Sequence, residues 1–185
     1  MDVLQAIRNR RSIRDYAPEA PSREEIESLI DAAVAAPSAA NRQFLSFSVI
    51  ADLALLDRIS QEAKAYMTSA RPLDLPEQLY EKLADPAFHV FYHAPVLILI
   101  SAKKNAPWAA EDCALAAQNI MLAALASDLG TCWIGLCQPF LDAPQGRALI
   151  GLAADEAPVA PIIVGRPASL VPPVPRKPPH IRWIS

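Results

Sequence analysis

The order of elements along the chain predicts an α+β fold, a sheet flanked by helices. Helical and strand periodicities are interspersed without regular βαβ alternation. No Gly-x-Gly-x-x-Gly follows a strand, which argues against a dinucleotide-binding Rossmann domain. Five glycines in 185 residues leave no room for a glycine-rich phosphate loop, so any phosphate bound here is held by side chains. The length suits a single domain spanning residues 1–185, with residues 170–185 as a proline-rich C-terminal arm.

Each element has its own local reason. Asp2 N-caps a first helix whose apolar face is Val3, Leu4 and Ile7. Ser22-Arg23-Glu24-Glu25 is a capping box, followed by Ile26, Leu29, Ile30 and Ala33 at helical spacing; Ala36-Pro37-Ser38 ends that helix. Leu45, Phe47 and Val49 alternate with Ser46 and Ser48, the pattern of a strand with one buried face. Asp52 caps a helix carrying Leu53, Leu56 and Ile59. From Tyr66 to His93 the pattern breaks up, with Pro72, Pro76 and Pro86 punctuating short helical pieces. A strand over Pro95–Ser101, a long helix over Ala109–Asp128 and a strand over Gly130–Gly135 follow. A short helix at Gln145–Ile150 precedes a last strand, Val159–Gly165, and Val171–Pro179 is too rich in proline to be anything but extended.

Composition excludes several classes. The net charge of −3 gives no basic surface for nucleic acid. The start lacks the basic and apolar regions of a secretory leader, and wholly apolar stretches such as Ala94–Ile100 are too short to span a bilayer. Cys113, Cys132 and Cys137 are odd in number and form no Cys-x-x-Cys, which points to a reducing cytoplasm rather than to a disulfide framework or structural zinc. His89 and His93, four apart, would share a helix face, but no matching cysteine or carboxylate pair stands near them, and no metal is expected. A mean hydropathy of +0.17 is high for a monomer and suggests apolar surface hidden in a subunit interface or a pocket.

Arg10-Arg11-Ser12-Ile13-Arg14 places three guanidinium groups and a hydroxyl within five positions of a mildly acidic chain. Arginine's planar fork matches phosphate oxygens bidentately and cannot be deprotonated, so this is a candidate local anion site. Two further features follow in order. Pro37-Ser38-Ala39-Ala40-Asn41-Arg42-Gln43 is a loop of small residues with two amides, and Gly130-Thr131-Cys132-Trp133-Ile134-Gly135 is a glycine-bounded strand. There is no Ser–His–Asp set and no paired-carboxylate motif for hydrolysis.

Taken together and in this order, these motifs resemble the nitroreductase family of FMN-dependent oxidoreductases, a likeness running from the N-terminus to Gly165-Arg166-Pro167 and the basic tail. The resemblance implies a central, mostly antiparallel sheet and an intertwined homodimer with FMN at the subunit interface. Arg10, Arg11, Ser12 and Arg14 match the motif for the FMN phosphate, ribityl chain and pyrimidine edge. Within it, Arg10 is expected at the N1–C2=O edge and Arg14 on phosphate. Pro37, Ser38, Asn41 and Gln43 match the loop that reaches the flavin from the other subunit; Cys132, Trp133, Ile134 and Gly135 match the strand whose backbone faces the ring near N5 and O4. Arg176 and Lys177 match the basic pair that helps hold the phosphate.

No side chain is expected to be catalytic, since flavin N5 carries the chemistry. The implied activity uses NADH or NADPH to reduce nitro compounds, quinones or another electron-poor small molecule, with Tyr66–His93 as the variable lid. The alternatives are a relative acting on one metabolite by dehalogenation, dehydrogenation or ring cleavage, and a flavin-storing dimer. The Cys132 thiol is expected to pack in the core, like Cys113 and Cys137, while its backbone does the contacting. Asn41 and Gln43 equally suit satisfying loop backbone groups, and Arg166 pairing with a carboxylate.

Overall fold

The computed structural model describes residues 1–169 and 171–184, so the outer limits of the expected arm, 170 and 185, lie outside the described residues. Four strands, β1 (Leu45–Ile50), β2 (Val96–Lys103), β3 (Gly130–Trp133) and β4 (Glu156–Gly165), form one antiparallel sheet in the order β1-β2-β4-β3. Among the described residues seven α-helices flank it: α1 (Val3–Asn9), α2 (Arg23–Val34), α3 (Leu53–Ala70), α4 (Glu77–Ala84), α5 (Ala109–Ala126), α6 (Gln138–Asp142) and α7 (Pro144–Ile150).

The central strands explain the layering. β2 is buried along Val96–Ala102, so both of its faces need a cover. On one face Leu97, Leu99 and Ile163 meet Leu56, Ile59 and Met67 of α3 and Leu83 of α4. On the other, Val96, Ile98, Ile100 and Ile162 meet Ile26 and Leu29 of α2 and Ala116, Ala117 and Ile120 of α5. The alanines of α5 let its axis come close to both α2 and the sheet.

Local signals set the helix starts. Asp2 and Ser22 each form a reciprocal capping box, with Gln5 and Glu25 respectively, and such caps contribute about 1 kcal/mol each. Asp52 accepts from the N–H groups of Ala54 and Leu55.

Five expectations need correction. The apolar face of α1 is not buried within the chain: Val3, Leu4 and Ile7 are 64, 57 and 51% exposed, and only Ala6 packs inward. β1 has no cleanly buried face, because it is an edge strand; Leu45 and Phe47 are half-buried and Val49 is exposed. Tyr66 does not open an irregular segment, since α3 continues to Ala70 with Met67 fully buried. The irregular stretch lies on either side of α4, and His89 and His93 sit in turns, not on a helix face. Finally, β4 starts at Glu156, ahead of the expected Val159, with Pro158 at a register shift opposite Ile100 and Ser101. The structure also adds α6, which carries Pro139 in its first turn, where a missing N–H costs nothing.

Candidate functional site

The segment after α1 leaves the helix at Arg10 and runs extended along the outer edge of β3. Ser12 bridges Thr131 in parallel, and the Ile13 N–H donates to the Thr131 carbonyl at 2.9 Å. In extended backbone alternate side chains share a face, so Arg10, Ser12 and Arg14 point one way and Arg11 and Ile13 the other. Ile13 is buried against Gly130.

On the shared face, Arg10, Ser12 and Arg14 surround the Cys132 thiol. Burial pushes that thiol above its ordinary range against the pull of the guanidinium groups and of the Ser12 hydroxyl, so it is neutral at pH 7. Among the described residues, neither Arg10 nor Arg14 forms an ion pair with a carboxylate. Two unneutralised guanidinium groups flanking a hydroxyl are a donor set for a polyanion.

Arg11 is partly committed to backbone. Its Nη1 donates to the carbonyls of Arg8 and Arg10 at 2.7 and 2.8 Å, which closes the C-terminal end of α1. Its Nε is buried without a partner among the described residues, and Arg11 lines a cavity together with Arg10, Pro167, Ser169 and Val171.

β3 pairs with β4 on one side and, among the described residues, is bridged by the Ser12–Ile13 segment on the other. Among the described residues no further strand pairs with its outer edge beyond Thr131, so the backbone of Cys132–Gly135 has no strand partner there. A Cβ added to Gly135 would meet no protein atom within 4 Å, so the chain itself does not fill that space.

The Pro37–Gln43 loop lies at the far end of α2, beside α5. It is held largely by its own bonds: Gln43 N–H to Ser38 Oγ at 3.1 Å and Gln43 Nε2 to Asn41 Oδ1 at 2.9 Å. Ala40, Asn41 and Gln43 all have φ of 52°, in the left-handed region, a strain of about 1–2 kcal/mol for each such residue. Among the described residues no hydrogen bond joins this loop to Arg10–Arg14. The arm forms no helix or strand and is exposed from Pro172 to Ile184, and Arg176 and Lys177 make no hydrogen bond or ion pair with other described residues.

Arg166, whose role the sequence left open, is spent on carboxylates. It donates to Glu19 at 3.0 Å and to both oxygens of Glu25 at 3.1 Å, joining the loop after β4 to the start of α2.

Three groups near the site escaped sequence reasoning. Tyr92 stands beside Arg14, whose Cζ is 5.7 Å from the ring centroid, and its φ of 53° is strained. Tyr16 donates its hydroxyl to the Ile13 carbonyl at 2.8 Å, and burial keeps that phenol protonated. Asp112, nearly buried on α5, accepts the Ala39 N–H at 3.0 Å. Only the last had any sequence signal, as a carboxylate in an otherwise apolar helix.

Asp57, His89 and His93 place their ligand atoms within 4.8 Å of one another. His89 Nδ1 accepts from the N–H groups of Phe91 and His93 at 3.2 and 3.3 Å, which puts the ring proton on Nε2, facing Asp57 at 3.2 Å. His89 is thus hydrogen-bonded to Asp57, and the His93 ring stacks on it with centroids 4.4 Å apart.

Known proteins match this architecture. The model of the nitroreductase family matches residues 7–166. A protein of Methanothermobacter thermautotrophicus named "Putative NADH dehydrogenase/NAD(P)H nitroreductase" is 32% identical over 173 residues, covering 91% of this chain and 78% of its own. The crystal structure of a nitroreductase with bound FMN from Bacteroides fragilis superposes with a TM-score of 0.88 at 24% identity, covering 100% of both chains. That of a nitroreductase with bound FMN from Desulfitobacterium hafniense gives 0.84 at 25% identity, again over 100% of both.

Proposed function

The chain belongs to the nitroreductase family, and on that premise we propose that it is a homodimeric oxidoreductase that binds FMN and uses NADH or NADPH to reduce nitro compounds, quinones or another electron-poor acceptor. The observation that carries this is the face formed by Arg10, Ser12 and Arg14, pinned to β3 and unpaired with any carboxylate among the described residues. FMN presents two electron-rich ends, the phosphate and the pyrimidine edge of the ring, and a face with two guanidinium groups and a hydroxyl supplies donors for both without a glycine-rich loop. The residues also fit the flat part of the cofactor, because among the described residues no further strand pairs with β3 beyond Thr131 and Gly135 is exposed.

Bound there, FMN supplies a carrier that takes up a hydride at N5 and passes it on. The chain's part is to bind, orient and screen. The placement supports exchanging the two arginine roles expected from sequence. Arg14 stands by Tyr92 and Cys132, on the strand assigned to the ring, and so serves the pyrimidine edge, where a cation stabilises the charge of the reduced ring. Arg10 lines a cavity with Pro167, Ser169 and Val171, at the root of the arm that carries Arg176 and Lys177, and so serves the phosphate. Ser12 donates between them. Trp133, Ile134 and Gly135 present backbone to the ring, and Pro37, Ser38, Asn41 and Gln43 complete the site from the second subunit.

The dimer is supported by what one chain leaves bare: Val3, Leu4 and Ile7 of α1 and Ile181, Trp183 and Ile184 of the arm are each more than half exposed. We read residues 1–185 as one domain with its arm. No helix among the described residues is long and apolar enough to cross a membrane, and three free, buried cysteines suit a cytoplasmic setting.

The test is direct. The purified protein is yellow, and chromatography of the released flavin identifies FMN. Anaerobic NADH or NADPH bleaches it, and a nitroaromatic or quinone restores the colour. Release of FAD, or failure of the apoprotein to take up any flavin, would sink the reading.

A further inference from the structure

The Pro37–Gln43 loop combines three left-handed residues with internal hydrogen bonds, yet it meets the rest of the molecule through very little. Among the described residues, the hydrogen bond from the Ala39 N–H to Asp112 Oδ1, 3.0 Å long, is the single one that ties it to another element. Asp112 is 8% exposed and faces no cationic side chain within ion-pair distance among the described residues. Asp112 stands in the first turn of α5, where the helix N-terminus favours its charge, and the Ala39 N–H is the hydrogen-bond donor its side chain meets among the described residues. A second polar group on α5, Asn119, donates from Nδ2 to the Ala32 carbonyl at 3.0 Å. The same helix thus grips the chain on both sides of the α2 terminus, at residue 32 and at residue 39.

We infer that Asp112 is a positioning residue for the cofactor: by fixing the Ala39 amide it holds the strained turn Ala39–Asn41 in the form that presents Asn41 and Gln43 outward. This rests on the reading that the loop contacts FMN. The chain of contacts is short. Asp112 fixes the first amide of the turn; Asn41 N–H closes the turn on the Ser38 carbonyl at 2.9 Å; Ser38 Oγ takes the Gln43 N–H; and the Gln43 amide reaches back to Asn41. Released at Ala39, the left-handed residues relax toward ordinary backbone, and both amide side chains lose their common orientation.

The experiment uses the full-length protein and three variants. Asp112→Ala removes the acceptor; Asp112→Asn keeps an oxygen acceptor and removes the charge; Ala39→Pro removes the donor on the surface side without touching the core. Proline suits the first position of such a turn, and the preceding Ser38 is already extended. Hydrogen exchange read by mass spectrometry over residues 37–43 is expected to speed up about tenfold in Asp112→Ala and Ala39→Pro, and to stay near wild type in Asp112→Asn. Titration of the apoproteins with FMN is expected to follow the same order, with roughly tenfold weaker binding in the first two and less than about threefold in the third. Faster exchange with unchanged FMN affinity in both Asp112→Ala and Ala39→Pro overturns the positioning role, as does unchanged exchange. Equal damage from Asp112→Asn and Asp112→Ala overturns the acceptor as its basis. If the wild-type apoprotein takes up no FMN, the functional reading itself fails, an outcome distinct from normal uptake by the variants.

Discussion

Gly130 and Ile13 are fitted to each other: a Cβ added to Gly130 would lie 2.8 Å from Ile13 Cγ1 and 2.9 Å from its Cβ and Cγ2. The contact seats the segment after α1 against β3, and the Ile13 N–H bond to Thr131 lies beside it. Gly130 is needed here for space, not for backbone freedom. Arg10, Ser12 and Arg14 take their direction from this seat, because alternation along extended backbone depends on which residue faces inward.

Gly130→Ala therefore acts on the site as well as on stability. Ile13 is buried and cannot swing clear, so the added methyl overpacks the junction at about 1–3 kcal/mol. The expected outcome is a lower unfolding midpoint together with weaker FMN uptake by the folded protein. Unchanged flavin affinity at a temperature where the variant is fully folded would separate the seat from the site.

Arg14→Ala is expected to weaken FMN binding by roughly 10- to 150-fold, the equivalent of one charge-assisted pair at about 1.5–3 kcal/mol. The fold should persist, since Arg14 is exposed and supports no core contact. Cys132→Ala is expected to stay within a few-fold of wild type, because the thiol is neutral and only its backbone is assigned to the ring. Apoprotein titration by flavin fluorescence reads both, and equal effects from the two variants would contradict the division of roles.

A chain ended after residue 170 tests the arm. Pro172, Pro173, Pro175, Pro178 and Pro179 stiffen it, so it loses less entropy on docking than a flexible tail. Truncation is expected to lower FMN retention and to shift the dimer toward monomer at micromolar concentration by analytical ultracentrifugation. A truncated protein that stays dimeric and fully flavinated would show that Arg176 and Lys177 are dispensable.

The His89–Asp57 pair gives a pH dependence with a definite sign. Burial, and then the neighbouring His93, hold the His89 imidazole below its ordinary pKa, and Asp57 only partly offsets this. The unfolded chain therefore binds this proton more readily than the folded one. Stability from neutral His89 is complete above the ordinary histidine range and is lost as pH falls through it toward the depressed folded value. Thermal unfolding at pH 7.5 and 5.5 should show a larger loss in wild type than in His89→Gln; parallel losses would assign the effect to other groups.

The sequence by itself determined what local chemistry controls. Asp2, Ser22 and Asp52 each satisfy orphan amides within three residues, so those helix starts needed no knowledge of the fold. The Arg10–Arg14 cluster was legible as a group of neighbours, whereas its run along β3, which sets Arg10, Ser12 and Arg14 on one face, came only with the fold. Contacts between distant segments were beyond reach. Pro139 and Pro158 break elements by local rules, yet one sits in a helix's first turn and the other at a bulge that only the β2–β4 register creates. The choice that the sequence leaves open for Arg166 is decided by two glutamates at its fork, and the backbone carbonyls at Arg11 Nη1 come into view only with the fold. Val3, Leu4 and Ile7 read as an inward face because periodicity tells which residues lie together, not what covers them. Asp112 meets Ala39 across 73 positions of chain, a pairing that α5 and the end of α2 must pack together to make. Local hydrogen bonding is written in short spacings, whereas burial and long-range pairing are properties of the packed whole, and the geometry of the site depends on the second.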